Sequence, residues 1–576
     1  MTLPAWGAVP TDTGTRFRIW APDHDELELL LPDGPRAMEA EGDGWWSLTA
    51  DAPPGTEYGY RLPDGLEIPD PASRLQAGDV HGRSVVTGRD AYDWQHERPE
   101  RPWHEAVIYE LHLGTFTPEG TYRAAIDKLD HLRDLGVTAI DILPVAQFAG
   151  RRGWGYDGVL LYAPHNAYGS PDDLRALVDA AHGRGIMVML DVVYNHFGPD
   201  GNYLPALAPA FFDQEAETPW GSTIDYDRDP VRRFAIENAT YWIENFRIDG
   251  LRFDAIDHIA DDSDPDLLTE MAREIRRVLP GAWLMTEDNR NVTYLHERGE
   301  DGTTPLMDGE WNDDWHNAAH VVATDETEGY YAEFADDPTG WLARACATGF
   351  AYQGEGGRGV SSGHLPPVAM VNFLQNHDQI GNRAVGERLT KLTPMARLEA
   401  LQAMLLLSPQ IPLLFMGEEW NATEPFLFFA DFEGELATAV TEGRRREFSA
   451  FVGFTDAVPD PIDPQTFARS RLVWDRLAQG DHQEALARTR ELIALRRDRI
   501  VPLLDGVGGH AGRHLHAPKH CIATDWHLNG GLLQMRANFA HHPEKLAPVL
   551  GETLHLTGPA PGAPNSVLFA LAEGGA

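Results

Sequence analysis

The chain has 576 residues and a formal net charge of −42, from 47 basic and 89 acidic side chains. With 43% apolar and 24% charged residues it has ordinary globular usage, which excludes a disordered or collagen-like chain. So acidic a chain repels phosphate backbones and anionic lipid, which excludes nucleic acid and membranes as general partners. Cys346 and Cys521 are the only cysteines, too few for a disulfide scaffold or a Cys-rich zinc site. The opening MTLPAWGAVPTDTGTRFRIW lacks the basic start and apolar core of a secretory signal. The most apolar stretch, LQAMLLLSPQIPLLFMG, is interrupted by Ser408, Pro409, Gln410 and Pro412, short of the ~18 unbroken apolar residues of a membrane span. These features predict a soluble intracellular protein.

Residues 1–97 carry short alternating runs (TRFRIW, ELELLL, GWWSLTA, TEYGYRL) separated by PDG, GDG and PPG turns. Short strands at that spacing predict an N-terminal β-sandwich. Residues 98–502 form the next region: after the linker-like ERPERPW, from residue 106, apolar β-rich runs alternate with amphipathic helical stretches. The runs are AVIYELHLGTF, VTAIDILPV, GIMVMLDVVYNH, IDGLRFDAIDH, AWLMTEDN, LMDGEW, AMVNFLQNHD and IPLLFMGEEW. TYRAAIDKLDHLRDLG and PDDLRALVDAAHGRG read as helices, the latter with a Gly stop signal. Strands alternating with helices predict a parallel sheet, and eight repeats predict a central (β/α)8 barrel with insertions. The helix TRELIALRRDRI closes the region. Residues 503–576, with GGLLQMRANF, TLHLTG and NSVLFALA, predict a smaller C-terminal β domain. The expected architecture is therefore multidomain.

Several runs end in ionisable groups: Asp191, Asn195 and His196 at the third, Arg252, Asp254 and His258 at the fourth, Glu287 and Asp288 at the fifth, His377 and Asp378 at the seventh. An Asp after a strand is ordinarily a helix N-cap. Four strands placing such groups at one barrel mouth is hard to explain by packing, because gathered charges repel, and the carboxyl ends of barrel strands are where sites are built. Three carboxylates, an Arg and several His without a metal cluster suit retaining glycoside hydrolysis, in which two carboxyls about 5–5.5 Å apart act as nucleophile and acid/base. Trp154, Tyr156, Tyr203, Trp220, Trp311, Trp315, Phe426 and Phe428 add flat faces suited to a neutral glycan, with core packing as the plain alternative for each. GEGGRG and GVSSG share one Gly-rich loop without the strand and helix that a phosphate cradle or a nucleophile elbow requires. DDSDPD lacks the Gly and closing Glu of a calcium loop and predicts a solvated loop before LLTEMAREIRRVL.

DVVYNH, GLRFDAIDH, TEDN and FLQNHD resemble, in order, the four conserved regions of the α-amylase superfamily (glycoside hydrolase family 13). The resemblance implies Asp254 as nucleophile, Glu287 as general acid/base and Asp378 as transition-state stabiliser. It also implies sugar contacts from Arg252, His196 and His377, with Tyr156 stacking beneath. Many members carry Lys-His where this chain has Asp257-His258, so no contact carries over to Asp257, while His258 remains a candidate. WGYDGVLLYAPHNAYG, TEDNRN, FLQNHDQIGNRAVGERL, LLFMGEEWNATEPFLFF and EGRRREFSAFVGF narrow the resemblance to the trehalose-releasing members. That implies cleavage of maltooligosyltrehalose at the α-1,4 bond to its terminal trehalose, with maltooligosyltrehalose synthase as pathway partner and no cofactor or metal. Trp154, Trp220, Trp315 and the segment EWNDDWH are candidates for recognising the substrate, as is the region near Phe426. The alternatives are a glycogen branching or debranching enzyme of the same family and a non-catalytic glucan-binding protein.

Overall fold

The computed structural model describes residues 3–88, 92–218, 221–299, 302–448 and 458–574, with backbone alone for 214–218. Eight parallel strands close a barrel: β1 (Ile108–Leu111), β2 (Ala139–Ile142), β3 (Met187–Val192), β4 (Gly250–Phe253), β5 (Trp283–Thr286), β6 (Gly309–Trp311), β7 (Met370–Phe373) and β8 (Ile411–Phe415). Each predicted run supplies one strand, and LMDGEW provides β6. Neighbours follow chain order, and β8 returns to lie beside β1, with Ile108 opposite Leu413. Strands of such a barrel are covered on both faces, which is why they read as near-continuous apolar runs. The exceptions inform: Glu110, Asp141, Asp191, Arg252, Glu310 and Asn372 lie within strands and are all buried.

The outer helices follow local rules. Pro171–His182 opens on a capping box in which Ser170 and Asp173 satisfy each other's backbone amides. TYRAAIDKLDHLRDLG, expected as one helix, is two, Tyr122–Ile126 and Leu129–Leu135. The first buries Tyr122 against Tyr168. The second packs against the helix Gly480–Leu495 and ends at Gly136, whose φ of 100° lets its N–H return to the carbonyls of Leu132 and Arg133. Two burial partners in different directions account for the break. DDSDPD is a loop as expected: Asp266 caps the helix Leu267–Val278 by accepting from the Thr269 amide at 2.7 Å.

Ahead of the barrel, two antiparallel sheets face each other, Phe17 of one meeting Tyr58 of the other edge-to-face at 4.9 Å. They dock on the barrel through Trp6, whose indole donates to the Pro230 carbonyl at 2.9 Å. After the barrel, a five-stranded antiparallel sheet spans Gly512–Glu573. Its strand Cys521–Leu528 was not among the runs read from the sequence. Trp526 fastens this sheet to the barrel's helical layer by donating to the Cys346 carbonyl at 2.9 Å. Among the described residues, no helix is long and apolar enough to cross a membrane.

Candidate active site

The site is organised around one cation. Arg252, on β4, is fully buried, and its guanidinium lies over the Trp311 ring of β6 at 4.0 Å. Nη1 donates to Asp191 at 2.7 Å and to Asp254 at 2.8 Å, while Nη2 donates to Glu287. Burial opposes the charge on Arg252, but Asp191 and Glu287 outweigh it and hold the group firmly protonated. One rigid planar fork thus carries acids from the ends of β3, β4 and β5, a geometry an ammonium could not reproduce. Asp191 lies beneath the cleft, whereas Asp254, Glu287 and Asp378 are each partly open to solvent.

The backbone around these acids is specified closely. Asp254 donates its amide to the Val192 carbonyl and Glu287 donates its own to the Phe253 carbonyl, continuing the barrel ladder at 3.0 and 3.1 Å. Ala255 then turns into the left-handed region at φ 40°, uncommon for a residue with a Cβ. Its N–H consequently points at Glu287 Oε2, 3.1 Å away. Asn195, in the loop after β3, reaches Asp254 Oδ2 at 3.4 Å. Asp378 lies in the first turn of the short helix after β7, and Asn382 donates to its Oδ1 at 2.7 Å.

Titration follows from this enclosure. Burial raises Glu287 above the usual glutamate range, against the pull of Arg252 and with Asp254 adding to the rise. Burial likewise raises Asp378. It pushes His196 and His377 down to about 4, so both imidazoles are neutral at physiological pH. A carboxyl raised above its usual range close to a second carboxylate is the pairing that acid-assisted displacement needs.

Of the expected sugar contacts, the structure gathers Arg252, Tyr156, His196, His377 and His258 at this mouth. Tyr156 donates its hydroxyl to Asp191 at 2.6 Å and stacks on His377 at 5.0 Å. His196 pairs its Nδ1 with Asn195 at 2.7 Å. His258 is half-buried, 3.8 Å from Asp257. The loop that presents Tyr156 depends on Gly155, at φ 107°, where a Cβ would fall 2.0 Å from the Pro144 carbonyl oxygen.

Two expectations are corrected. Trp315 is fully enclosed, its indole donating to the Cys346 sulfur at 3.2 Å in the layer between barrel and C-terminal sheet. It is core, with no face left for a sugar. Trp154 is also buried: its indole donates to the Leu427 carbonyl at 2.9 Å, and its ring packs flat on Phe426 and edge-on to His377. It braces His377 rather than offering an open platform. Trp220 lies outside the described residues. Within EWNDDWH, Asp313 faces the cleft, where burial raises its carboxyl with help from Glu287 and Asp378. Asp314 faces away and anchors a loop through Asn291, the Ala351 and Tyr352 amides and Arg358. Sequence reasoning missed Glu110, which holds His377 from below. Its signal was a charge inside an otherwise apolar strand. Among the described residues, no cluster of three or more His, Cys, Asp or Glu is arranged to hold a metal ion.

The profile of the Alpha-amylase family (alpha amylase, catalytic domain) matches residues 72–207. Barrel, cleft and match define a glycoside hydrolase of the α-amylase type. The chain is 43% identical over 504 residues to the Malto-oligosyltrehalose trehalohydrolase of Deinococcus radiodurans, covering 85% of this chain and 82% of that one. It is 40% identical over 476 residues to the protein of that name from Saccharolobus solfataricus, covering 80% and 82%. A crystal structure from Salmonella typhimurium, of a candidate alpha amylase, superposes with a TM-score of 0.97 at 50% identity, over 99% of this chain and 100% of that one. The chain belongs to the malto-oligosyltrehalose trehalohydrolase family.

Proposed function

We propose that this chain hydrolyses the α-1,4-glucosidic bond between a maltooligosyl chain and its terminal trehalose, with retention at the anomeric carbon. The observation that carries this reading is the single guanidinium of Arg252 gripping both Asp254 and Glu287 at the edge of an open cleft. Asp254, paired with the cation, attacks the anomeric carbon. Glu287, raised by burial, gives its proton to the glycosidic oxygen, so trehalose departs as a neutral alcohol. A covalent glucosyl ester on Asp254 remains. Glu287, now ionised, takes a proton from water, which attacks the same carbon from the vacated side and releases the shortened maltooligosaccharide. Asp378 holds ring hydroxyls and faces the positive charge that builds in both transition states. His196, His377 and Tyr156 line the sugar that is cleaved.

Specificity for a trehalose end rests on family membership. A bent disaccharide is selected when buried polar groups find partners in it and none in a straight glucan. The same reading places the protein in the cytoplasm, consuming the product of maltooligosyltrehalose synthase. Purified protein is incubated with maltooligosyltrehalose and, separately, with a plain maltooligosaccharide of equal length. Free trehalose, released much faster than the plain chain is cut, is the expected result. Equal rates defeat the specificity, and new or lost α-1,6 branches point to a branching or debranching enzyme instead.

A further inference from the structure

Glu110 lies within β1, fully enclosed beneath the cleft. One carboxyl oxygen, Oε2, accepts from the His377 backbone amide at 3.1 Å. The other, Oε1, sits 2.5 Å from His377 Nδ1. A carboxyl that meets both the amide and the ring of one histidine fixes its position and its ring rotation. Which atom carries the proton between Oε1 and Nδ1 then decides what the far edge of the imidazole can offer, because a neutral imidazole has one donor and one acceptor.

The surroundings answer that question. Asp141 on β2 stands directly opposite Glu110 in register, and its Oδ1 has no hydrogen-bond partner. Phe415 on β8, the other neighbour, brings no charge. From β4, Arg252 is the only cation among the described residues that faces this floor, and its two terminal nitrogens are already committed to Asp191, Asp254 and Glu287. Tyr156 and Asp378 also face Glu110, and neither supplies positive charge. Two buried carboxyls side by side cannot both ionise without a counter-ion. Burial pushes Glu110 up to about 8, Arg252 opposing, and it raises Asp141 well above the usual carboxylate range, with Glu110 adding to the rise.

We infer that Glu110 is a positioning residue that stays protonated, donates its O–H to His377 Nδ1, and so holds the imidazole as the tautomer whose Nε2–H is offered to the cleft. This rests on the proposed reading of the site, in which His377 meets the sugar at the cleaved bond. Nε2–H then serves as a fixed donor to a sugar oxygen, and neither residue needs a net charge. Glu110 acts through His377 and touches no substrate.

Two measurements test it. Selective 15N-histidine NMR on the resting full-length protein, with the His377 signal identified by its loss in His377→Gln, reads the tautomer without any substrate. The expected result below pH 7 is an unprotonated Nδ1 and a protonated Nε2, exchanging toward the opposite tautomer as pH rises through about 8. Glu110→Gln keeps both contacts, its amide N–H donating to Nδ1 and its carbonyl accepting from the backbone, so it should hold the Nε2–H tautomer at every pH. At pH 6.5 it should retain kcat/KM within a few-fold. Glu110→Val should lose roughly 10- to 100-fold in kcat/KM, as expected when a buried polar partner is removed. A protonated Nδ1 in the resting protein overturns the inference, as does a Glu110→Gln variant as impaired as Glu110→Val. Should no glucan be cleaved at all, the proposed reaction fails while the NMR result still decides the tautomer.

Discussion

Arg252 and Arg496 are the same residue type and are equally buried, yet their partners differ in kind. Arg496 follows the helix Gly480–Leu495 and donates only to backbone carbonyls, those of Leu406 at 3.2 Å, Ser408 at 2.5 Å and Gln410 at 2.7 Å. Burial alone acts on it and pushes it down to about 9. Arg252 meets three side-chain carboxylates and is driven the other way. Carbonyls satisfy a buried guanidinium without adding charge, which suits a group that pins the chain ahead of β8. Carboxylates around a guanidinium hold anions at set positions, which suits a group that arranges reacting acids. A buried arginine is therefore read by what it donates to rather than by its burial.

The largest expected effect is on the acids that Arg252 holds. Asp254→Asn or Glu287→Gln should lower kcat by about 10³-fold or more with little change in Tm, measured on maltooligosyltrehalose. A folded Asp254→Asn enzyme turning over at a near-normal rate would remove the nucleophile assignment. Next comes the pair of arginines themselves. Arg252→Lys should cost about 100-fold in kcat/KM, because a point charge cannot bridge two carboxylates. Arg496→Met should lower unfolding free energy by about 1–3 kcal/mol through unsatisfied carbonyls and leave kcat/KM of the folded enzyme unchanged. If both substitutions damage activity alike, the contrast between the two sites is lost.

A smaller effect extends the contrast to acids. Glu418, just after β8, is buried and pushed up to about 8 from 4.5. Between those values the folded chain holds a proton that the unfolded chain has released. Its contribution is complete below about pH 4.5 and is lost as pH rises to about 8. Urea unfolding at pH 6.5 and pH 8 should show stability falling with pH, and a shallower fall in Glu418→Gln; equal slopes would contradict the shift. The smallest effect on activity belongs to Trp315→Phe. It should lower Tm by opening space between barrel and C-terminal sheet and leave KM unaltered, whereas a raised KM would return Trp315 to the sugar.

The barrel was legible because each strand is an apolar run ending in polar residues, even β6, where only Gly309–Trp311 pair. The placement of Asp254 and Glu287 at the mouth was legible for the same reason, since a residue directly after a strand end has its height and direction fixed; Asp378, in the helical turn beyond β7, carried no such signal and its role came from the resemblance. Trp315 was misread because spacing along EWNDDWH was treated as shared location. A helix starts at Asp313, and residues two apart on a helix do not face the same way. Glu110 went unread since nothing in IYEL tells which face of a strand turns inward; only closure of the barrel sets it beneath His377. Ala255 left no trace either, because alanine gives no sign of a left-handed backbone.

The return of β8 to β1 has a consequence for how the molecule can be taken apart. Glu110 and Asp378 are more than 260 positions apart in the chain, yet the ring that unites them is shut only when Ile411–Phe415 arrives. A ribosome that has released everything through the helical turn after β7 has therefore made every acid of the cleft and no working cleft, with the first strand still presenting a bare edge. Proteolytic nicks that detach the eighth strand should abolish turnover in one step rather than by degrees.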